Sequence, residues 1–299
     1  MKLDGVATFV AVAEAGSISE AARRLSLSKS VVSERVAELE RSLGATLLHR
    51  TTRKLSLTED GAAFLERAAR ITRDVEAAMA DLAERRGELV GPLRISAPVA
   101  FGHLHLGPAI YPFLRRHPRI ELTLDLNDRR VDAAAEGFDA VVRNGVIADN
   151  RLVAWRLAPS RRLLVAAPDY IAAYGTPKTM ADLERHRGVF YTNRGAADWH
   201  FATGDGTVSV RGQVGLRVNN GNMMRDACIA GLGIALMPSF IIGDAIRAGA
   251  LIQIQLDVSP LPEWIYMAHP EGRRASAKLR ALADCLRAAF GDPPYWDAA

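Results

Sequence analysis

A chain of 299 residues is about twice the length of an ordinary single domain, which predicts two or three domains. Its 49% apolar and 24% charged content is that of a soluble globular protein and excludes a long disordered region, and two cysteines exclude a disulfide scaffold. The net charge of +4 is unevenly spread: residues 1–90 balance 14 basic against 14 acidic side chains, yet residues 21–57 hold eight basic residues against Glu34, Glu38 and Glu40, a local patch suited to one polyanion contact.

The first predicted element is a helix from about Leu3 to Ala15, ended by Gly16. Its apolar run Val6–Ala13 resembles a weak signal peptide, but Asp4 and Glu14 flank it. Val6, Phe9, Val10 and Ala13 also fall at amphipathic-helix spacing, so a cytoplasmic protein is expected. Ser17 reads as an N-cap, with Glu20 completing a capping box, for a short helix from Ile18 to Leu25. Ser28 is a second N-cap, opening a helix with Val32, Val36, Leu39 and Leu43 on one face and Gly44 as its stop. Two short helices joined by a tight turn, the second amphipathic, have helix-turn-helix spacing. Behind the cap Ser28, the outward residues Lys29, Ser30, Ser33, Glu34 and Ala37, with Arg35 at the edge, suit the major groove of double-stranded DNA. The plainer alternative is a solvated polar face.

Thr46–His49 and Leu55–Thr58 then alternate as two strands around a tip containing Arg50, Arg53 and Lys54. This is a wing whose three cations can neutralise phosphates beside the groove. Thr58 caps a helix running to about Arg86. Along it Leu65, Ala68/Ala69, Thr72, Val75, Met79 and Leu82 recur about every 3.5 residues, the seam of a coiled coil. That seam serves either the chain's own C-terminal domain or, as modules that read DNA in pairs favour, a second copy.

The runs Phe9–Leu25 (FVAVAEAGSISEAARRL), Leu25–Gly44 (LSLSKSVVSERVAELERSLG) and Leu47–Gly61 (LLHRTTRKLSLTEDG) resemble the LysR-type transcriptional regulators, and the resemblance extends through the rest of the chain. It implies an N-terminal winged helix-turn-helix, a long dimerising linker helix and a two-lobed effector domain of the periplasmic-binding-protein type, an α/β fold, assembled as a homodimer or homotetramer. The implied divisions are residues 1–58, 59–89 and 90–299, with one lobe at about 90–161 plus 267–299 and the other at about 162–266. One departure stands out: Glu34 follows Ser33 where the family commonly shows arginine. An acid there either accepts from a cytosine amino group or points away from the phosphates, so the operator cannot be inherited from relatives.

Past Gly87–Pro92, a hinge by composition, the predicted elements alternate. Leu93–Ala97 is a strand, Phe101–His117 a helix, Ile120–Leu126 a strand, Val131–Glu136 a short helix and Ala140–Arg143 a strand. Arg162–Ala166, Tyr170–Tyr174, Met223–Ala230 and Ile234–Met237 repeat the alternation, and Trp264–Ala268 and Ser276–Phe290 close the chain. Such alternation predicts a mainly parallel sheet with helices on both faces. In this fold the last strand and helix return to the first lobe.

Ligands in open α/β sheets bind beyond the carboxyl ends of strands. That rule selects Pro98, Val99, Ala100 and Phe101, then Asp128, then Arg143, Asn144 and Gly145. In the second lobe it selects Thr192, Asn193, Asn219, Asn220 and Pro238. Each has a structural alternative: Asp128 as a cap or a partner of Arg129, Arg143 as a partner of Asp128 or Asp139, and Asn219–Gly221 as a turn. Relatives often place hydroxyls after the first strand, where this chain has Pro98, Val99 and Ala100, which admits a less polar effector. Arg143 argues for a carboxylate, so a small organic or aromatic acid is expected.

Enzyme chemistry finds no support: G-x-S-x-G, G-x-x-x-x-G-K-[ST] and H-E-x-x-H are absent. His103 and His105 lie two apart on a helix and point to different faces, and Cys228 reads as a core thiol. No cofactor, metal or membrane is expected. The alternative to a regulator is an enzyme or solute-binding domain fused to a DNA-binding module.

Overall fold

The computed structural model describes residues 2–50, 55–84, 86–145, 151–194, 198–204, 206–271 and 275–297. It forms two compact units, Met1–Gly91 and Pro92–Ala299.

In the first unit, α1 (Leu3–Ala15) stops at Gly16, whose φ of 60° places it in the left-handed region that glycine enters without steric cost. Before α2 (Ile18–Arg24), the Ser17 hydroxyl accepts the Glu20 N–H at 3.5 Å. The return half of the expected capping box is not made, because the Glu20 carboxylate is taken by Arg23 and Arg24 at 2.6–3.1 Å. These two arginines, Arg23 first, pull its pKa down to about 2. Ser28 caps α3 (Lys29–Leu43) through the Val31 N–H at 3.3 Å. Val32, Val36 and Leu39 are buried with Val6, Phe9, Val12, Ala21, Ala22 and Leu47 in one core; Leu43, expected on the same face, is exposed. β1 (Leu48–Arg50) and β2 (Leu55–Leu57) pair antiparallel, with Leu48 opposite Leu57.

Thr58 then opens α4 (Glu59–Glu84): its hydroxyl accepts the Gly61 N–H at 2.9 Å and donates to the Thr46 carbonyl at 2.6 Å. The first turns of α4 lie on the module's own core. The Phe64 ring stands 5.6 Å from Phe9, Ala68 is fully buried, and Leu65 and Ala69 pack beside it. Only beyond this does the apolar seam emerge, with Met79 and Leu82 exposed, as is Ile71 beside it.

The second unit begins with β3 (Gly91–Ala97), α5 (Val99–Phe101), a π-helical turn at Gly102–Leu106 and α6 (Gly107–Arg116). The interruption of the helix expected over Phe101–His117 has a local cause. Pro108 carries no N–H, and the Gly107 N–H reaches back five residues to the Gly102 carbonyl. β4 (Ile120–Leu126), β5 (Ala140–Gly145), β6 (Leu152–Ser160) and β7 (Arg162–Ala166) follow. The helix expected at Val131–Glu136 is instead a set of turns: the Asp132 carboxylate caps them by accepting the Ala134 and Ala135 N–H groups at 3.1 and 3.0 Å, and Gly137, at a φ of 71°, stops the chain after a single turn.

Next come α7 (Pro168–Tyr174), α8 (Met180–Leu183), β8 (Arg187–Tyr191), β9 (Asp198–Thr203), β10 (Gly206–Arg211) and β11 (Gln213–Val218). After them run α9 (Gly221–Ile229), β12 (Ala235–Pro238), α10 (Ser239–Arg247), β13 (Ile252–Ile254), β14 (Ser259–Pro260), β15 (Glu263–Pro270) and α11 (Ala277–Phe290). The first lobe is a five-stranded sheet ordered β4-β3-β5-β15-β6, so the C-terminal strand does return, between β5 and β6. The second lobe holds the sheets β12-β7-β13, β11-β8 and β10-β9-β14 around a core including Leu164, Tyr170, Phe190, Trp199, Phe201 and Ile234. The sheets are mixed rather than mainly parallel. β3–β5 and β8–β11 run parallel, whereas β15 is antiparallel to both its neighbours and β7 to both of its own. Short returning strands, invisible as helix–strand alternation, make the difference.

Candidate functional site

Two groups of residues bear on function, one in each unit. On α3 the hydroxyls of Ser28 and Ser30 lie 2.9 Å apart, and both residues are exposed at the head of the helix beside Lys29. Ser33 is half-buried and Glu34 exposed. Neither Lys29 nor Glu34 meets a partner among the described residues. Arg35 behaves differently: its guanidinium lies 3.7 Å from Asp4 of α1, so part of its charge is spent inside the module. Arg50 ends β1; Arg53 and Lys54 lie outside the described residues. Sequence reasoning missed Glu40, whose carboxylate accepts the N–H groups of Leu47 and Leu48 at 2.8 and 3.2 Å. It thereby fixes where β1 departs from the end of α3.

In the second unit, the ends of β3, β5 and β8 converge between the lobes. Asp128 accepts the Val99 N–H at 3.0 Å and is hydrogen-bonded by the Tyr191 side chain; burial pushes its carboxyl above the usual range, opposed by those donors and by the Arg143 charge. Arg129 turns elsewhere, to Glu136, so the Asp128–Arg129 pair does not form. Arg143 donates to the Ser96 hydroxyl at 2.8 Å, the Val142 carbonyl at 2.9 Å and the Arg129 carbonyl at 3.3 Å. It pairs with neither Asp128 nor Asp139, the latter being taken up by the Arg94 N–H. Burial lowers the Arg143 pKa, opposed by Tyr266 and Asp128. From the second lobe, Asn193 in the turn after β8 donates to the Asp128 carbonyl at 2.6 Å.

The remaining candidates separate. Asn220 caps α9 through the Met223 N–H at 3.0 Å, the structural alternative, while Asn219 and Thr192 stay exposed. Pro238 precedes α10. Gly145 is buried opposite Trp264, and Asn144 keeps a buried side-chain oxygen without a partner. Phe101 is a correction: it is fully buried among the rings of Phe240, Phe290 and Trp296 at 5.1–5.9 Å, so its side chain faces the core. Ala100 is likewise buried, against Gly221. His105 spends both ring nitrogens on the Tyr295 hydroxyl (2.6 Å) and the Phe240 carbonyl (2.8 Å), which removes it as a metal ligand. Cys228 bonds the Val165 and Gly233 carbonyls, and burial pushes its thiol up to about 12. Three cleft residues escaped the sequence reading. Tyr191 was one position inside the strand-end rule, whereas Ser96 and Tyr266 meet Arg143 only through sheet pairing between strands distant in the chain.

A helix-turn-helix with a wing, joined to an α/β domain with polar groups at converging strand ends, defines a DNA-binding protein that carries a ligand-binding domain. The chain matches the family model of the bacterial regulatory helix-turn-helix protein, lysR family, over residues 3–62, and that of the LysR substrate binding domain over residues 86–291. It is 32% identical over 97% of its length to the HTH-type transcriptional regulator DmlR of Escherichia coli K12, covering 95% of that protein. It is 30% identical over 98% of its length to an HTH-type transcriptional repressor of Pseudomonas aeruginosa, covering 93% of it. Among solved structures it resembles CrgA, a LysR-type regulator from Neisseria meningitidis, at 30% identity and a TM-score of 0.59, covering 96% of this chain and 98% of that one. The chain belongs to the LysR-type transcriptional regulators, a family that binds DNA and small-molecule effectors and is not enzymatic.

Proposed function

We propose that this regulator reads its operator with Ser28, Lys29, Ser30, Ser33 and Glu34 while the wing cations Arg50, Arg53 and Lys54 hold phosphates. On this reading it pairs through the exposed seam of α4 into a homodimer or homotetramer in the cytoplasm and senses a small organic or aromatic acid between the lobes of residues 90–299. The observation that carries the sensing role is Arg143: a half-buried guanidinium near the end of β5 whose hydrogen-bond partners among the described residues are all uncharged oxygens. A partly desolvated charge with no ion-pair partner is costly, and a ligand carboxylate would supply one. Binding then couples to DNA through the ligand's differential affinity for two arrangements of the assembly.

The test is a binding selection on random DNA, run for wild type, Ser33→Ala and Arg53→Ala. The Ser33 variant is expected to change the preferred sequence, by about 1–3 kcal/mol for a lost base contact. The Arg53 variant is expected to weaken all sequences alike and to flatten the salt dependence by about one unit of slope. Identical motifs for wild type and Ser33→Ala would remove α3 as the reading element.

A further inference from the structure

Among the described residues, the inter-lobe cleft presents two opposite charges that are close enough to influence one another but are not paired. The Arg143 guanidinium reaches the carbonyl of Arg129, the residue after Asp128, at 3.3 Å, and the two charges act on one another, yet no ion pair within 4.0 Å joins them. Each is fastened from behind by neutral groups: Arg143 by the Ser96 hydroxyl and the Val142 and Arg129 carbonyls, Asp128 by the Val99 N–H and Tyr191. Tyr266, directly opposite Arg143 in the sheet register, adds a phenol beside the guanidinium. Asn193 ties the second lobe to the Asp128 backbone at 2.6 Å and leaves the carboxylate to other partners.

Side chains pinned apart in this way keep their charges separated at a fixed spacing, and that preorganisation lowers the ordering cost of a ligand matching both. A plain carboxylate that satisfied Arg143 would lie in the field of Asp128, and a plain amine bound at Asp128 would lie in the field of Arg143. Only a ligand carrying both signs relieves both.

We infer that the cleft selects a zwitterion, an α-amino acid or a close analogue, with its carboxylate on Arg143 and its ammonium on Asp128. This rests on the cleft being the effector site and narrows the acid proposed above to one bearing an amino group.

The test uses the full-length protein and measures binding calorimetrically for the proteinogenic L-amino acids. For each binder, its deaminated acid and decarboxylated amine follow, as 3-phenylpropionate and phenethylamine do for L-phenylalanine. The expected result is binding of at least one amino acid, with either truncated analogue weaker by about tenfold or more. Asp128→Asn retains the oxygen that accepts the Val99 N–H, so the loop is expected to stay in place. In that variant the affinity for the amino acid is expected to fall while that for the deaminated acid does not, closing the gap between them. Deaminated acids binding as tightly as their amino acids in wild type, or an Asp128→Asn variant that keeps the full preference, overturns the zwitterion and leaves an acid sensor. Failure of every amino acid, acid and amine to bind overturns the cleft reading as well.

Discussion

His105 shows how much of a side chain's role lies outside the local sequence. Its spacing from His103 on a helix spoke only against a shared metal. Nothing local indicated that it would link the first lobe to the Phe240 carbonyl of α10 and to Tyr295 near the C-terminus. Since a carbonyl only accepts, Nε2 carries a proton; with burial favouring the neutral ring, Nδ1 is then the acceptor of the Tyr295 hydroxyl. Burial holds its pKa below the ordinary value, opposed by the Phe240 carbonyl and the nearby Asp244 charge. The unfolded chain, with an ordinary imidazole near about 6.5, therefore takes up its proton first on acidification. The stability associated with this ring is full above that pH and is lost as the pH falls towards the folded state's lower pKa. Melting curves at successive pH values from neutral to mildly acidic should show a steeper loss for wild type than for His105→Gln, which cannot titrate. Equal slopes would mean that the ring is not buried neutral.

Elements of the first unit were legible nearly to the residue, because caps and stops are written locally. Ser17, Ser28 and Thr58 start the helices and Gly16 and Gly44 end them. The second unit was less so. β6 and the strands from β9 to β11 carry weak or one-sided burial patterns, and their partners lie far along the chain. The α4 start illustrates a feature that local reading only half explains. Gly61 stands in the first turn, and a Cβ there would lie 2.0 Å from the Leu47 carbonyl oxygen, which also accepts the Thr58 N–H at 3.0 Å. Alanine would gain up to about 1 kcal/mol of helix propensity. Overpacking against backbone costs about 1–3 kcal/mol and sometimes more, and here no flexible side chain can give way, so the clash wins. Gly61→Ala is expected to lower the denaturation midpoint of the first unit and to weaken DNA binding, as read by urea unfolding and gel retention; an unchanged midpoint would show that the strand–helix junction can move. The same helix explains the shortened seam. Leu65, Ala68 and Ala69 are spent on the module's own core, leaving Met79 and Leu82 of the seam exposed, with Ile71 beside it.

At the scale of the whole molecule, Gly87–Pro92 reads as a hinge by composition, and the structure divides into compact units between Gly91 and Pro92. Sheet order did not follow, since a strand's neighbours depend on pairing energies summed over the entire domain. The consequential case is β15, which lies between β5 and β6 although a long stretch of chain, the whole second lobe, separates it from either. A chain ended after Pro262 would keep every earlier strand of that sheet but lack the one that joins β5 to β6. Limited proteolysis of such a fragment should digest residues 92–262 while leaving residues 2–91 protected; a protease-resistant second unit would show that β5 and β6 close on each other. During synthesis the same arrangement imposes a timetable. The first unit precedes the second along the chain, whereas the five-stranded sheet must wait, with an open seam between β5 and β6, until β15 has been made. Each nascent copy therefore passes through an interval in which its first unit is whole and its second still lacks a central strand.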